Sequence, residues 1–253
     1  MKNKKFNLSP YILIVVLLLV WQGVSTFGIV PSFMLPSPIE VVTAFISDFC
    51  LLMSHARVTL TEAFLGLSIS VLISFIFAFF MDRFYPVKKS VYPLIILTQT
   101  IPTVAIAPLL VLWFGYGMLP KICLIITTCF FPITIGLLNG FSSADKDVIN
   151  LMRSMGASEN QIFKHVKFPS SLGHFFSGLK ISASYAIIGA VISEWLGGFE
   201  GLGVYMTRVK KSYNFDKMFA VILLVSIISL ILMKIVDIIH KKSMPWEGKQ
   251  ENN

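Results

Sequence analysis

The sequence predicts an all-α, polytopic membrane protein, a single transmembrane domain over residues 1–253 with six spans, and three observations carry that expectation. Apolar residues make up 55% of the chain and charged ones 13%, about half the charged share of an ordinary soluble domain. The apolar residues gather into six runs, at about 10–30, 59–81, 91–113, 121–141, 176–197 and 217–240. Each is close to the ~20 residues that take a helix across a ~30 Å hydrocarbon core. Basic residues then concentrate on one side: Lys2, Lys4 and Lys5; Arg83, Lys88 and Lys89; Lys146, Arg153, Lys164 and Lys167; Lys241 and Lys242. That asymmetry predicts a plasma (inner) membrane protein with both termini cytoplasmic. Arg208, Lys210 and Lys211, in the last outside loop, break it. The net charge of +8 thus belongs to a lipid bilayer, and no nucleic-acid partner is expected.

The first run follows three lysines, as a signal peptide would, but it is longer than a usual signal core. It also lacks a small-x-small cleavage site, so it is expected to stay as the first helix. After it, Pro31, Pro36 and Pro38 predict an extended outer connector. Val41, Val42, Phe45, Ile46 and Phe49 then recur at helical spacing. They fit either a helix lying along the membrane or a re-entrant piece of the bundle.

The third run contains Thr98, Gln99, Thr100, Pro102, Thr103 and Pro108. Proline in a membrane helix frees carbonyls that protein or cavity water must satisfy. A bent helix lining a path, with Gln99, Thr100 and Pro102 inward, is one reading; a kinked packing helix is the other. The fifth run carries Gly178, Ser182, Ala186 and Ala190 in one row and Gly189, Ser193 and Gly197 in a second. Small residues at this spacing let backbones approach closely, so the fifth helix is expected at the bundle centre or at a dimer seam. Glu194 near its outer end is either functional or an acid reaching headgroup water. Lys234 and Asp237 are spaced for a local (i, i+3) pair. Cys50, Cys123 and Cys129 have no CxxC spacing and are expected to pack as small hydrophobes.

The polar stretch 142–175 is the most informative. Ser142 with Asp145, and Ser158 with Gln161, fit capping boxes, and Gly156 fits a helix stop. Val148, Leu151, Met152 and Met155 share one apolar face. Two short amphipathic helices limited by Pro169 are expected below the bilayer.

Gly156-Ala157-Ser158, Gln161, Phe163, Pro169 and Gly178-Leu179-Lys180 resemble the "EAA" coupling loop of binding-protein-dependent importer permeases. Leu35-Pro36-Ser37-Pro38, Ile101-Pro102, Trp113-Phe114-Gly115-Tyr116-Gly117 and Glu194-Trp195-Leu196-Gly197 with Gly201-Leu202-Gly203 agree, so the likeness spans about 30–240. It implies the type I ABC importer permease fold and a homodimer. It also implies cytoplasmic ATP-binding subunits docked on Asn150, Arg153, Gly156, Ala157, Ser158, Gln161, Phe163 and Pro169, and an extracytoplasmic solute-binding protein. The family's Glu-Ala-Ala falls on Asn150-Leu151-Met152, so its carboxylate is missing here. Gln99, Thr100, Pro102, Ser182, Ser193 and Glu194 are the expected path residues. The likeness leans toward import of a pyrimidine precursor of thiamine, with taurine, alkylsulfonate or nitrate as the alternative.

No Gly-x-x-x-x-Gly-Lys-Ser/Thr loop occurs, and His55, His165, His174 and His240 show no metal-site spacing. The chain is therefore expected to be a translocation subunit with no catalytic residue, metal or cofactor, and ATP hydrolysis is expected on a separate subunit. An ATP-independent secondary transporter would show repeats and a buried relay, for which Glu194 is the lone candidate.

Overall fold

The computed structural model describes residues 9–28, 30–31 and 34–245. Lys2, Lys4, Lys5, Ser32, Phe33 and Trp246 lie outside the described residues. The described chain is helical: α1 (Ser9–Thr26), α2 (Pro38–Ser47), α3 (Phe49–Arg83), α4 (Tyr85–Thr100), α5 (Thr103–Phe114), α6 (Met118–Ser142), α7 (Lys146–Ser154), α8 (Glu159–Ile162), a π turn (Phe163–Lys167), α9 (Phe168–Gly197), α10 (Leu202–Lys211) and α11 (Phe215–Ser243). Four stretches are long and apolar enough to cross a membrane: α3, α6, α8 running on into α9, and α11.

The core is the seam between α6 and α9, with α3 packed along it. Small residues make the seam possible, as the rows in the fifth run predict. A Cβ on Gly178 would lie 2.4 Å from the Pro132 carbonyl oxygen, and one on Gly136 2.6 Å from that of His174. Ser182 donates to the Cys129 carbonyl (2.9 Å) while the Cys129 thiol donates to that of Ser182 (3.3 Å). Ala186, Ala190 and Ile133 are fully buried beside them. Backbones this close gain dispersion contacts that lipid tails cannot replace. Outward, α3, α4 and α11 expose Phe64, Leu72, Leu94, Leu97, Leu230 and Ile238, the apolar surface a bilayer requires.

Two ends of the bundle follow from the ion pairs. Arg83, at the C-terminus of α3, lies 3.9 Å from Glu159 beside α7. Glu62, 21 residues earlier on the same helix, pairs with Lys121 at the start of α6 (2.6 Å). At 1.5 Å per residue these points are about 30 Å apart. Between Arg83 and Lys121 the chain must therefore travel back along the bundle. It does so through α4 and α5, which meet at 102° across Ile101 and Pro102. The third run is thus two helices with a sharp break, more than the bend expected. Pro102 removes an N–H, and Ile101 before it is held extended at ψ 122°.

One further difference has a local cause. Asp237 pairs with Lys180 of α9 (2.9 Å) instead of Lys234. The α9–α11 packing brings Lys180 to it, and the pair ties the two helices. The helix α2 begins on a Ser37–Glu40 capping box. It buries Val41 and Ala44 against Ala220 of α11 and Trp21 of α1, leaving Ile39, Val42 and Ile46 exposed. The connector before it is tied down by Trp21 Nε1 donating to the Pro36 carbonyl (3.0 Å).

Candidate functional site: a projecting hairpin, a neutral cavity and a buried charge cluster

At one end, α7 projects from the bundle. Asp145 is its N-cap and accepts the Asp147 N–H at 2.8 Å. Ser142, expected to open this helix, instead ends α6, whose hydrogen bonding runs on until the Ser143 N–H reaches Asn139. The α7 helix ends in paired bonds, Ala157 N–H to Met152 and Gly156 N–H to Arg153, with Gly156 at φ 82°. This is the left-handed stop that glycine supplies. The Ser158–Gln161 capping box is present, its two bonds at 3.3 and 2.7 Å. Pro169, expected to limit the second helix, does not break it. The π turn takes up the register, with the Phe168 N–H reaching back to Phe163, and Pro169 falls in the first turn of α9, where no N–H is needed. The free hairpin is therefore 143–158, shorter than the 142–175 expected.

No residue of α7 is buried. Leu151 and Met155 are 61% and 77% exposed, and Val148 is exposed beside them. Asn150 is also exposed. Arg153 pairs with Glu159 at 2.9 Å. Phe163 faces the other way, its ring 4.9 Å from that of Phe79 and 5.1 Å from that of Phe141. With Lys167 bonded to Asp82 (2.8 Å), α8 and the π turn are fixed to the bundle. Of the two expected hanging helices, only α7 hangs.

Midway along, the α4–α5 break opens a cavity of about 320 Å³. Thr98 and Gln99 line it from α4, Ile101, Pro102 and Thr103 from the break, and Thr127 and Thr128 from α6; Tyr185, Ile188, Gly189 and Ile192 form the α9 wall. Among the described residues none of these is charged. Of the expected path residues, Gln99 and Pro102 line this cavity. Thr100 does not: it is exposed and donates to the Leu97 carbonyl. Ser182 sits inside the α6–α9 seam, and Ser193 is buried, bonded to the Ala190 carbonyl at 2.7 Å.

At the far end Glu194 is 1% exposed, so the headgroup-water reading does not hold. Thr59 donates to one carboxylate oxygen (2.7 Å), and the Gly203 N–H donates to the other (2.6 Å). Thr59 in turn accepts the Leu202 N–H (2.9 Å), and His55 Nδ1 accepts that of Gly201 (3.1 Å). The first turn of α10 is thus seated on α3 and α9, with Glu194 at its positive end. The glycines are required: Gly201 sits at φ 123°, and a Cβ there would lie 2.2 Å from the Glu194 carboxyl carbon. The Glu62–Lys121 pair lies in the same region, both side chains nearly fully buried. Tyr205, read from sequence as an aromatic at the outer mouth, is buried instead and donates to Asp48; Trp195 is exposed. Sequence reasoning passed over His55, Thr59, Glu62 and Lys121. The available signal was that Glu62 and Lys121 are lone charges of opposite sign within or bordering apolar runs, which need a partner.

Comparison with known proteins decides the family. The model of the "binding-protein-dependent transport system inner membrane component" family matches residues 70–244. The chain belongs to that family. Over 99% of its length this permease is 33% identical to the formylaminopyrimidine transport permease protein ThiX of Halalkalibacterium halodurans, all of which is covered. It is 37% identical to a probable ABC transporter permease protein of Haemophilus influenzae, over 92% of this chain and 96% of that one. The taurine transport system permease protein TauC of Escherichia coli is 28% identical, over 92% and 88% respectively. Among solved structures, the fold is similar to that of an amino acid ABC transporter crystallised with histidines, at TM-score 0.66 and 16% identity. That likeness covers 79% of this permease and 97% of the other chain.

Proposed function

We propose that two copies of this permease form the translocation path of an ATP-driven importer, with cytoplasmic ATP-binding subunits at α7 and an extracytoplasmic solute-binding protein at the Glu194 end. The observation that carries this reading is α7 itself. Its apolar side chains are exposed on a hairpin whose caps and glycine stop hold it rigid, and an exposed apolar face on a polar hairpin suits a protein groove better than water. Asn150, Arg153, Gly156, Ala157, Ser158 and Gln161 frame that face. Phe163 and Pro169 would act by anchoring the hairpin to the bundle. With α1 and the α4–α5 pair each taken as a crossing, the chain has six spans in one membrane domain, and both termini lie on the α7 side. The two copies would meet over α5 and the adjoining face of α9, where Leu112, Trp113, Ile188 and Trp195 are exposed.

ATP closes the ATP-binding subunits because it binds their closed state better, and that differential affinity biases the spans through α7. The solute is a pyrimidine precursor of thiamine. The full-length likeness to a formylaminopyrimidine permease supports this assignment. The exposed Arg208, Lys210 and Lys211 of α10 favour a second reading, import of taurine, an alkylsulfonate or nitrate. Uptake of labelled hydroxymethylpyrimidine by cells with and without this chain, with taurine and nitrate as competitors, separates the two. Uptake that needs the chain and ATP and ignores both competitors is expected. Uptake of labelled taurine that needs the chain, with none of the pyrimidine, would replace the first reading by the second.

A further inference from the structure

We propose that the cavity at the α4–α5 break is a transit subsite for an uncharged, flat ring that carries both hydrogen-bond donors and acceptors, and that it discriminates against anions. This rests on the importer reading above and adds the residues and the selection rule.

The space comes first. About 320 Å³ is at the lower end of small-molecule sites, enough for a six-membered ring with two short substituents. Tyr185, Ile188 and Ile192 recur on one face of α9 and make one wall. Gly189 between them keeps that wall near α6: a Cβ there would lie 3.3 Å from the Thr128 hydroxyl.

The polar groups are mixed in kind and neutral. Thr127 and Thr128 donate to the carbonyls of Cys123 and Ile125 in their own helix (2.8 and 2.9 Å). Each hydroxyl therefore has lone pairs, but no proton, left for a ligand. Gln99 brings an amide with two donors and an acceptor, and Tyr185 a phenol. The break adds the carbonyls at the very end of α4 and the N–H groups of Thr103 and Val104, which a helix leaves without partners of its own. The Leu97 carbonyl is already taken by Thr100, and the Ala105 and Ile106 N–H groups by Pro102. A ring with donor and acceptor edges can be matched by such a set. Nitrate or a sulfonate would lose its water here without meeting a cation, at a cost that isolated neutral donors do not offset. The positive end of α5 does not substitute for one, because the negative end of α4 faces the same break. On this view Arg208, Lys210 and Lys211 act outside the selecting site.

The test uses the whole importer, comparing wild type with the double variant Gln99→Met, Tyr185→Phe, which keeps shape and removes hydrogen bonds. Labelled hydroxymethylpyrimidine uptake is measured as Vmax and KM, alongside ATP hydrolysis stimulated by the loaded binding protein. The expected result is a Vmax about tenfold lower, as loss of two hydrogen bonds of about 0.7 kcal/mol each implies. KM and stimulated ATP hydrolysis should stay within twofold, showing an assembled importer. Thr128→Val should cut Vmax less, and wild-type uptake should be unaffected by taurine or nitrate supplied in excess. Unchanged Vmax in a wild-type background that does import the pyrimidine overturns the subsite while leaving the importer reading intact. Import of taurine and not the pyrimidine by wild type overturns both the substrate reading and the selection against anions.

Discussion

The two ends of the bundle are built on opposite principles. At the Glu194 end, charges are buried, nearly every polar atom has a partner, and glycines are placed where a methyl group would collide with a carboxylate or a carbonyl. At the α7 end, nothing in α7 is buried, and Val148, Leu151 and the capping Met155 are exposed. One end is held by internal contacts that tolerate little change. The other is a capped projection whose polar side chains bond locally, as Arg153 does to Glu159, while Val148, Leu151 and Met155 stay exposed. The difference teaches that burial and stability mark one end, while the surface available to another protein is where the chain's own packing stops.

This contrast can be broken most forcefully at Lys121. Lys121→Met leaves the buried Glu62 carboxylate without its cation, and is expected to cost about 3–5 kcal/mol, read as thermal unfolding of the detergent-purified permease. Adding Glu62→Leu should restore most of that loss. A single variant as stable as wild type would show that the end is not held by this pair. Next in size, Gly178→Ala places a methyl 2.4 Å from the Pro132 carbonyl oxygen and should cost about 1–3 kcal/mol by the same measurement. Gly156→Ala has open space around it and should cost about 1 kcal/mol, from the left-handed backbone alone.

At the α7 end the expectation reverses. Leu151→Asp with Met155→Asp should change stability by less than about 0.5 kcal/mol while abolishing uptake and co-purification of the ATP-binding subunit. Normal transport by that variant would remove α7 from the coupling role. The smallest effect concerns Asp48, which accepts hydrogen bonds from Lys217 (2.8 Å) and Tyr205. Those bonds hold its carboxyl below the usual range, the Lys217 bond foremost. A lowered carboxyl stabilises above the unfolded pKa of about 4 and loses that contribution as pH falls through the lowered value. Asp48→Asn should therefore narrow the gap in unfolding temperature from wild type only below about pH 4 and keep it constant from pH 6 to 8.

The membrane class, the central place of the fifth run and the Ser158–Gln161 box were legible because each is local or periodic. A run of twenty apolar residues, a row of small residues or a capping pair is written within one stretch of chain. The continuity through Pro169 was not legible, because a π turn depends on how Phe163 packs against Phe79 and Phe141 rather than on propensity. The Lys180–Asp237 pair, and the joining of His55 and Thr59 to residues about 140 positions later, depend on helix packing that no spacing encodes. At the cavity, Gln99 and Pro102 were visible as polar and bent in an apolar run. Thr127, Thr128 and Tyr185 became visible only once α6 and α9 were placed opposite the break.

The break between α4 and α5 also bears on how the protein is made. At 16 and 12 residues, the two helices reach about 24 and 18 Å, each short of the ~30 Å apolar layer. Neither can cross by itself as it leaves the ribosome, and the exposed ends between them are costly in lipid until neighbours cover them. The α4–α5 stretch should therefore settle only after α6 and α9 have been synthesised, so biogenesis here proceeds by late capture of a short segment rather than by strict order along the chain.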